Sequence, residues 1–345
     1  TVEMANSADS NHVMTQSAAS TESASSRAQQ LRSTFERVFE SLVPCDAILL
    51  SGGLDTSIIA EAGKNLMKFR TGITVLASET APDRPAAKAV AKRSNLAHYE
   101  INTTPDTLVH ACLRFAVETL YTFDPMELRN SIVTARGLQE AKRLGYKRVV
   151  TGDGADELFA GYSYVQKMED EALRKYIAHM TRVMRFSAGP MAESLGLEIV
   201  QPFLHPAIQE FALTCTKDEL IGEKDGLVFG KLLLRLAFPE VTSCWRKKEP
   251  IEVGCGTCVL PQYYENLIPQ AMLEEEKKRI WEEDKVRIRD AEHLTYYRVF
   301  KDVFGNGRAT FPLSRHGTDP CPACGYQLSS PEQTFCVTCG HYPTR

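Results

Sequence analysis

Between an apolar run, Ala47-Ile48-Leu49-Leu50, and a helical pattern through Ile58, Ile59, Ala62 and Leu66 stands the turn Ser51-Gly52-Gly53-Leu54-Asp55-Thr56-Ser57. A strand that passes through a glycine turn into a helix must return to its sheet by a crossover, which leaves few arrangements open. The chain repeats this unit at once. An apolar run at 73–77, a helical stretch at 84–93 and a further run at 98–102 give β-loop-α-β-α-β. Longer helical segments at 106–120 and 126–144 lead to Arg148-Val149-Val150-Thr151, the next strand. Strands alternating with helices of this length predict an α/β fold, a doubly wound parallel sheet with helices on both faces and a ligand site beyond the carboxyl ends of its strands. Residues 165–304 read as mainly helical, with the run 274–290, dense in both charge signs, as a solvated helix face.

At 345 residues there is room for one large α/β unit and something small, given roughly 100 to 200 residues per domain. Forty Lys plus Arg against 44 Asp plus Glu give a formal charge of −4, which excludes a strongly basic nucleic-acid scaffold but leaves room for a local basic face. No apolar stretch approaches the ~18 residues that span a bilayer, so no membrane association is expected and the location expected is cytoplasmic. Residues 1–28, rich in Ser, Ala, Thr and Asn, lack the large apolar side chains that would offset the entropy of ordering and are expected to be a disordered tail. Glu3, Asp9 and Glu22 argue against a transit peptide. Folded chain is expected from Leu31, where Leu31, Phe35, Val38, Phe39 and Leu42 share one helical stripe.

In the first glycine turn, Gly52 and Gly53 allow close approach of backbone to a ligand, while Thr56, Ser57 and the following amides supply donors, a combination suited to phosphate or pyrophosphate. The G-x-x-x-x-G-K-[ST] pattern is absent. Asp55 would repel bare phosphate but has a purpose if it holds Mg2+ on the phosphates. Alone, the segment also fits an ordinary strand-to-helix turn. The second turn, Thr151-Gly152-Asp153-Gly154-Ala155-Asp156-Glu157, places three carboxylates within five positions, which repel one another unless a cation intervenes. Its plainer reading is an acidic first turn that complements a helix dipole. Both turns follow strands and should meet at one rim of the sheet.

These segments carry a family resemblance. SGGLDTS resembles the pyrophosphatase loop of the N-type ATP pyrophosphatase superfamily, and GDGADELFAGY is similar to the second signature of asparagine synthetases and β-lactam synthetases. Residues 198–204 resemble the V-E-x-R-x-P-F-L segment of that family, Trp245-Arg246-Lys247-Lys248-Glu249 its W-R-x-K-E segment, and Leu294-Thr295-Tyr296-Tyr297-Arg298-Val299-Phe300 its C-terminal helix. The resemblance spans about residues 31–304. It implies an adenine nucleotide α-hydrolase-like sheet and an asparagine synthetase-like ATP pyrophosphatase domain over 29–308. Ser51, Gly52, Gly53, Thr56 and Ser57 would then hold the β- and γ-phosphates, Asp55 and Asp156 would bind Mg2+, and Leu49, Leu76 and Gly152 would border the adenosine. Lys175 would contact pyrophosphate, Lys248 would stabilise the acyl-adenylate and the charge that develops as an amine attacks, and Asp153 would orient or deprotonate that amine. The implied enzyme is an ATP-dependent, AMP- and pyrophosphate-forming carbon–nitrogen ligase of amino-acid biosynthesis, with a small-molecule carboxylate and ammonia or an amine as substrates.

The sequence also departs from this family. Glutamine-hydrolysing members place a glutaminase domain before the synthetase domain. Only a short tail and one helix precede Ser51, so nitrogen is expected from ammonia, an amine or a separate glutaminase subunit. Gly189-Pro190 stand where members commonly carry polar or charged residues near the amino-acid substrate, which argues against aspartate. Ten cysteines are too few for a disulfide scaffold in a chain of this length, and the arrangement of Cys321, Cys324, Cys336 and Cys339 as C-x2-C-x11-C-x2-C predicts a zinc ribbon over 309–345, entered through a linker at 312–320. Cys244, Cys255 and Cys258 bracket Lys248. They read either as separate buried thiols, as three ligands of a [4Fe-4S] cluster like those of tRNA thiolases, or as a second zinc site completed by His205 or another ligand. Two functions therefore stand open: an amide-forming ligase, or an adenylating sulfur-transfer enzyme that uses these three cysteines, with RNA as partner and the ribbon as its grip.

Overall fold

The computed structural model describes residues 8–305 and 310–345. Helix α1 (Ala8–Ser41) begins upstream of the break expected at residue 28, and no Gly or Pro interrupts residues 8–28. Its packed face starts with Ala28 and continues through Leu31, Phe35, Val38 and Phe39, all buried. Residues 1–7 of the expected tail and the boundary expected at residue 308 lie outside the described residues.

Five parallel strands form the sheet: β1 (Ala47–Leu49), β2 (Thr71–Leu76), β3 (Ala97–Asn102), β4 (Arg148–Val150) and β5 (Glu198–Val200), in the order β3-β2-β1-β4-β5. Ala47 lies opposite both Thr71 of β2 and Val149 of β4, so β1 is the centre of the sheet. The chain runs outward from β1 to β3, then returns to the other side of β1 with β4. The turns after β1 and β4 are thereby brought side by side at the carboxyl rim. Helices cover both faces, as the alternation of elements requires. On one face α1, α2 (Leu54–Ile58), a π turn (Ile59–Gly63), α3 (Lys64–Met67) and α4 (Asp83–Arg93) pack with Ile48 and Leu50. On the other, α5 (Pro105–Leu120), α6 (Pro125–Arg143) and the helix Ala291–Phe304 pack on Ala47, Ile73, Val75 and Val149. Successive residues of β1 thus face opposite cores.

Helices α5 and α6 start as their sequences direct. Thr104 and Asp124 are the N-caps, each accepting from the first turn, and each is followed by proline. The region 165–304, read as mainly helical, also contains β5 and a hairpin of β6 (Gly222–Lys224) and β7 (Leu227–Phe229). Three-residue strands are too short to display a period of two. Among the described residues no helix is long and apolar enough to cross a membrane.

The cysteine-rich tail shares the second core. Cys321, Cys324, Cys336 and Cys339 are buried in the same apolar cluster as α5 and α6. Phe123 N–H donates to Thr338 O at 2.8 Å, Thr122 Oγ1 to Val337 O at 2.8 Å, and Arg289 Nη1 to Gly340 O at 2.8 Å. Tyr326 packs on Phe311 and Phe300, with ring centroids 4.5 and 5.7 Å away. The tail therefore clamps the α5–α6 connection and the helix Ala291–Phe304 together.

Candidate active site

Gly52 has φ +71°, and a Cβ there would lie 2.3 Å from Ala87 N, so the turn after β1 is closed against α4 and admits no side chain. Ser51 Oγ lies 3.2 Å from Thr56 Oγ1 and accepts from Gly53 N–H at 3.2 Å, while Ser57 Oγ donates to Gly53 O at 2.7 Å. Two donors from the Trp245-Arg246 region fix the turn from outside. Ser243 Oγ donates to Gly52 O at 2.6 Å, and Arg246 donates to Ser51 O at 3.3 Å and to Asp83 at 2.7 Å. The carbonyl oxygens of Ser51 and Gly52 thus have partners within the protein. Burial pushes the Asp83 carboxyl above its usual range, and the hydrogen bond from Arg246 opposes that push.

The turn after β4 meets the first one. A Cβ on Gly152 would stand 3.1 Å from Asp55 Cβ and 3.3 Å from Thr56 Cγ2. Asp55, on the first turn, and Asp156, in α7 (Ala155–Leu158), converge on one ammonium: Lys231 Nζ is 2.7 Å from both Asp55 carboxylate oxygens and 2.8 Å from Asp156 Oδ1. Lys248 Nζ approaches Asp156 Oδ2 at 3.1 Å. Burial works against the Lys231 ammonium, but Asp156 and Asp55 outweigh it and raise its pKa. Burial likewise opposes the Asp156 carboxylate, and Lys231 and Lys248 overcome it to hold its pKa below the ordinary value. Asp153 Oδ2 accepts from Thr151 Oγ1 at 2.6 Å and from Gln201 Nε2 at 2.8 Å. Burial raises the Asp153 pKa in spite of these two donors.

Of the residues singled out from sequence, Ser51, Gly52, Gly53, Asp55, Thr56, Ser57, Gly152, Asp153, Asp156 and Lys248 belong to these two turns and the side chains that meet them. Leu49 and Leu76 end neighbouring strands at the same rim. Lys175 does not join them: it is exposed on α8 (Asp170–Val183) and pairs with Glu171 at 2.7 Å. The buried lysine of the cluster is Lys231, which sequence reading missed. Its available signal was a cation standing directly before an apolar run, Leu232-Leu233-Leu234. Gln201, Ser243 and Asp83 carried no signal of their own.

The three middle cysteines do not form a ligand set. Cys244 is buried in the first core and donates to Arg235 O at 3.4 Å. Cys255 is buried near Thr257, its thiol pushed up to about 11 by burial, and its carbonyl accepts from Ala77 N–H beyond the end of β2. Cys258 is exposed. His205 Nδ1 accepts from Ala207 N–H as a helix cap. Of the three readings open for these cysteines, their positions favour separate thiols. Among the described residues, one group of three or more metal-ligating side chains has its ligand atoms within 4.8 Å of one another, and it is Cys321, Cys324, Cys336 and Cys339. The Sγ pairs Cys321–Cys339 and Cys324–Cys336 are 3.8 Å apart. Zn–S bonds of about 2.3 Å in a tetrahedron require edges of about 3.8 Å, so the four thiols fit Zn2+.

A parallel sheet with two polar turns at its switch point, one glycine-rich and one acidic, defines a doubly wound α/β protein with a candidate ligand site at that rim. Residues 28–195 match the family model described as asparagine synthase. It is similar to the root asparagine synthetase [glutamine-hydrolyzing] of Pisum sativum, 28% identical over 66% of this chain and 43% of the relative. It is likewise similar to asparagine synthetase B [glutamine-hydrolyzing] of Escherichia coli, 29% identical over 66% of this chain and 45% of the relative. The chain thus spans less than half the length of these relatives. Among solved structures, NMN synthetase from Francisella tularensis aligns with a TM-score of 0.27 and 16% identity, over 55% of this chain and 92% of that one.

Proposed function

We propose that the chain activates a small-molecule carboxylate with ATP as an acyl-AMP, releases pyrophosphate, and transfers the acyl group to ammonia or an amine. The observation that carries this reading is the convergence of the Ser51–Ser57 turn, Asp55, Asp156, Lys231 and Lys248 at the carboxyl ends of β1 and β4. Similarity to asparagine synthetases over the same residues supports it.

Amides and hydroxyls of the first turn would receive the β- and γ-phosphates, with the turn held rigid by Ser243 and Arg246. Two partly buried carboxylates suit a hard cation, and Asp156 Oδ1 is a buried oxygen near Lys231 without an aligned hydrogen bond. Asp55 and Asp156 would hold Mg2+, which neutralises charge on the departing pyrophosphate when bound. Lys248, about one-third exposed, extends to the open side of Asp156, where its charge can follow the oxyanion formed as a nucleophile adds to the acyl carbon. Asp153 has both donors on Oδ2. Its Oδ1 would accept a proton or hydrogen bond from the incoming amine. Gly189-Pro190 occupy the first turn of the helix Ala188–Leu195 and present no polar side chain, which argues against aspartate as the carboxylate substrate.

The four-cysteine cluster would hold one structural Zn2+. The sulfur-transfer alternative would need Cys244, Cys255 and Cys258 at one site, and their separate surroundings favour the ligase reading. Purified protein should contain zinc without iron and should release AMP and pyrophosphate in equal amounts when ATP, ammonia and a cognate carboxylic acid are combined. An iron–sulfur absorbance lost in Cys255→Ala, or ATP cleavage stimulated by tRNA and by no carboxylic acid, would refute the ligase reading.

A further inference from the structure

Lys231 is only 3% exposed, and unusual backbone holds it there. Its own φ is +58° and that of Ala160 is +54°, both in the left-handed region that non-glycine residues seldom occupy. Lys231 N–H donates to Phe159 O at 2.8 Å. A Cβ on Gly161 would come within 2.0 Å of Asp156 Oδ1 and 2.4 Å of Lys231 Cε, and one on Gly230 within 1.9 Å of Ala160 O. Two glycines and two left-handed residues therefore close around a single ammonium, which reaches both carboxylates of the cation pair. Charge completes the picture. Asp55 and Asp156 bring two negative charges and Lys231 and Lys248 two positive ones, so the cluster is neutral. A free divalent cation added to it would leave two uncompensated positive charges in a partly buried site around the buried Lys231, which the lowered local dielectric penalises. A cation arriving on a triphosphate brings its own compensating charge.

We infer that Lys231 is the resident counter-cation of the Asp55–Asp156 pair, so that a divalent cation joins these carboxylates only together with the triphosphate. The inference rests on the ATP-site reading above. It makes Lys231 a positioning residue: it keeps two like charges close together and ready, and it denies free metal the site.

The test uses the full chain with zinc in place and Mn2+ as the probe, because Mn2+ favours oxygen ligands over thiolates and its binding is read by loss of the free-ion EPR signal. Wild type should bind no stoichiometric Mn2+ alone and should bind it with α,β-methylene-ATP, which cannot be cleaved at the α–β bridge. Lys231→Met should bind Mn2+ alone at least about tenfold more tightly than wild type. Its melting temperature should rise with Mn2+ while that of wild type stays put. The double variant Lys231→Met/Asp55→Asn, which removes one charge of each sign, should fold and bind Mn2+ no better than wild type. Stoichiometric Mn2+ on the nucleotide-free wild type, no gain in Lys231→Met, or an equal gain in the double variant would overturn the inference. A Lys231→Met chain that folds only with Mn2+ supports it, and one that stays unfolded with Mn2+ contradicts it. Failure of α,β-methylene-ATP itself to bind, measured by calorimetry, would instead remove the ATP-site reading.

Discussion

Gln201 Nε2 donates to Asp153 Oδ2 at 2.8 Å, joining the residue just past β5 to the turn after β4. A donor to the charged carboxylate lowers its pKa, so its loss should push Asp153 further up. In Gln201→Leu the acidic limb of the pH profile for product formation should move to higher pH, and the rate near neutrality should fall about tenfold, the equivalent of one charge-assisted hydrogen bond. Gln201→Glu, by placing a second carboxylate against the first, should shift the limb in the same direction and further. A profile unchanged in both variants would remove Gln201 from this role.

The two ends of the cation cluster should separate the two half-reactions. Asp55→Asn should abolish pyrophosphate formation, because it removes one of the two carboxylates meant for the metal. Lys248→Ala should retain some acyl-AMP formation and yield little amide, a loss of about 100-fold or more for a group acting on transition-state charge. Pyrophosphate release followed beside amide formation distinguishes them, and wild-type turnover in Asp55→Asn would refute the metal assignment.

Most of this cluster was legible beforehand, because a turn chemistry such as Ser51–Ser57 or Asp153–Glu157 is written in consecutive residues. The parallel sheet was legible for the same reason, through runs such as Ala47–Leu50 followed by a helical period. What was not legible depends on contacts distant in sequence. Lys231 reaches Asp55 across 176 positions, and only the wrapping of Ala160 and Gly161 around it places it there, whereas Lys175 points to Glu171 one turn away. The spacing of Cys244, Cys255 and Cys258 suggested a common site, but their chain segments enter different surroundings, at Arg235 and at the end of β2. The four C-terminal cysteines succeeded where these failed because C-x2-C knuckles fix ligand geometry locally.

Zinc in the C-terminal cluster should stabilise more than the tail. Thr338 and Val337 hold Thr122 and Phe123, immediately before the Asp124 cap of α6. Cys336→Ser, or removal of zinc by a strong chelator, should therefore lower the melting temperature by about 5 °C or more and increase hydrogen exchange at the start of α6. One zinc per chain by elemental analysis is expected. Unaltered exchange at 122–128 after zinc loss would show that the clamp contributes nothing there.

Acid should destabilise the chain partly through His293. This side chain is buried against Phe123 with ring centroids 5.3 Å apart, and Arg289 N–H donates to its Nδ1. Burial, with Arg289 adding to it, lowers its pKa from 6.5 to about 3. Below about 6.5 the unfolded chain binds a proton that the folded chain refuses, so stability is intact above that pH and is lost as pH falls toward about 3, by at most about 1.4 kcal/mol per unit. Urea midpoints at pH 7 and pH 5 should differ more for wild type than for His293→Gln. Parallel losses in the two proteins would place the acid sensitivity elsewhere.

Acyl-AMP formation leaves an isotopic record that no competing route shares. A cognate carboxylic acid labelled with 18O in both oxygens, incubated with ATP, ammonia and the wild-type chain, should give AMP carrying one 18O and pyrophosphate carrying none, since the carboxylate oxygen that attacks the α-phosphorus leaves with it. Unlabelled AMP, or 18O recovered in inorganic phosphate beside ADP, would contradict the account.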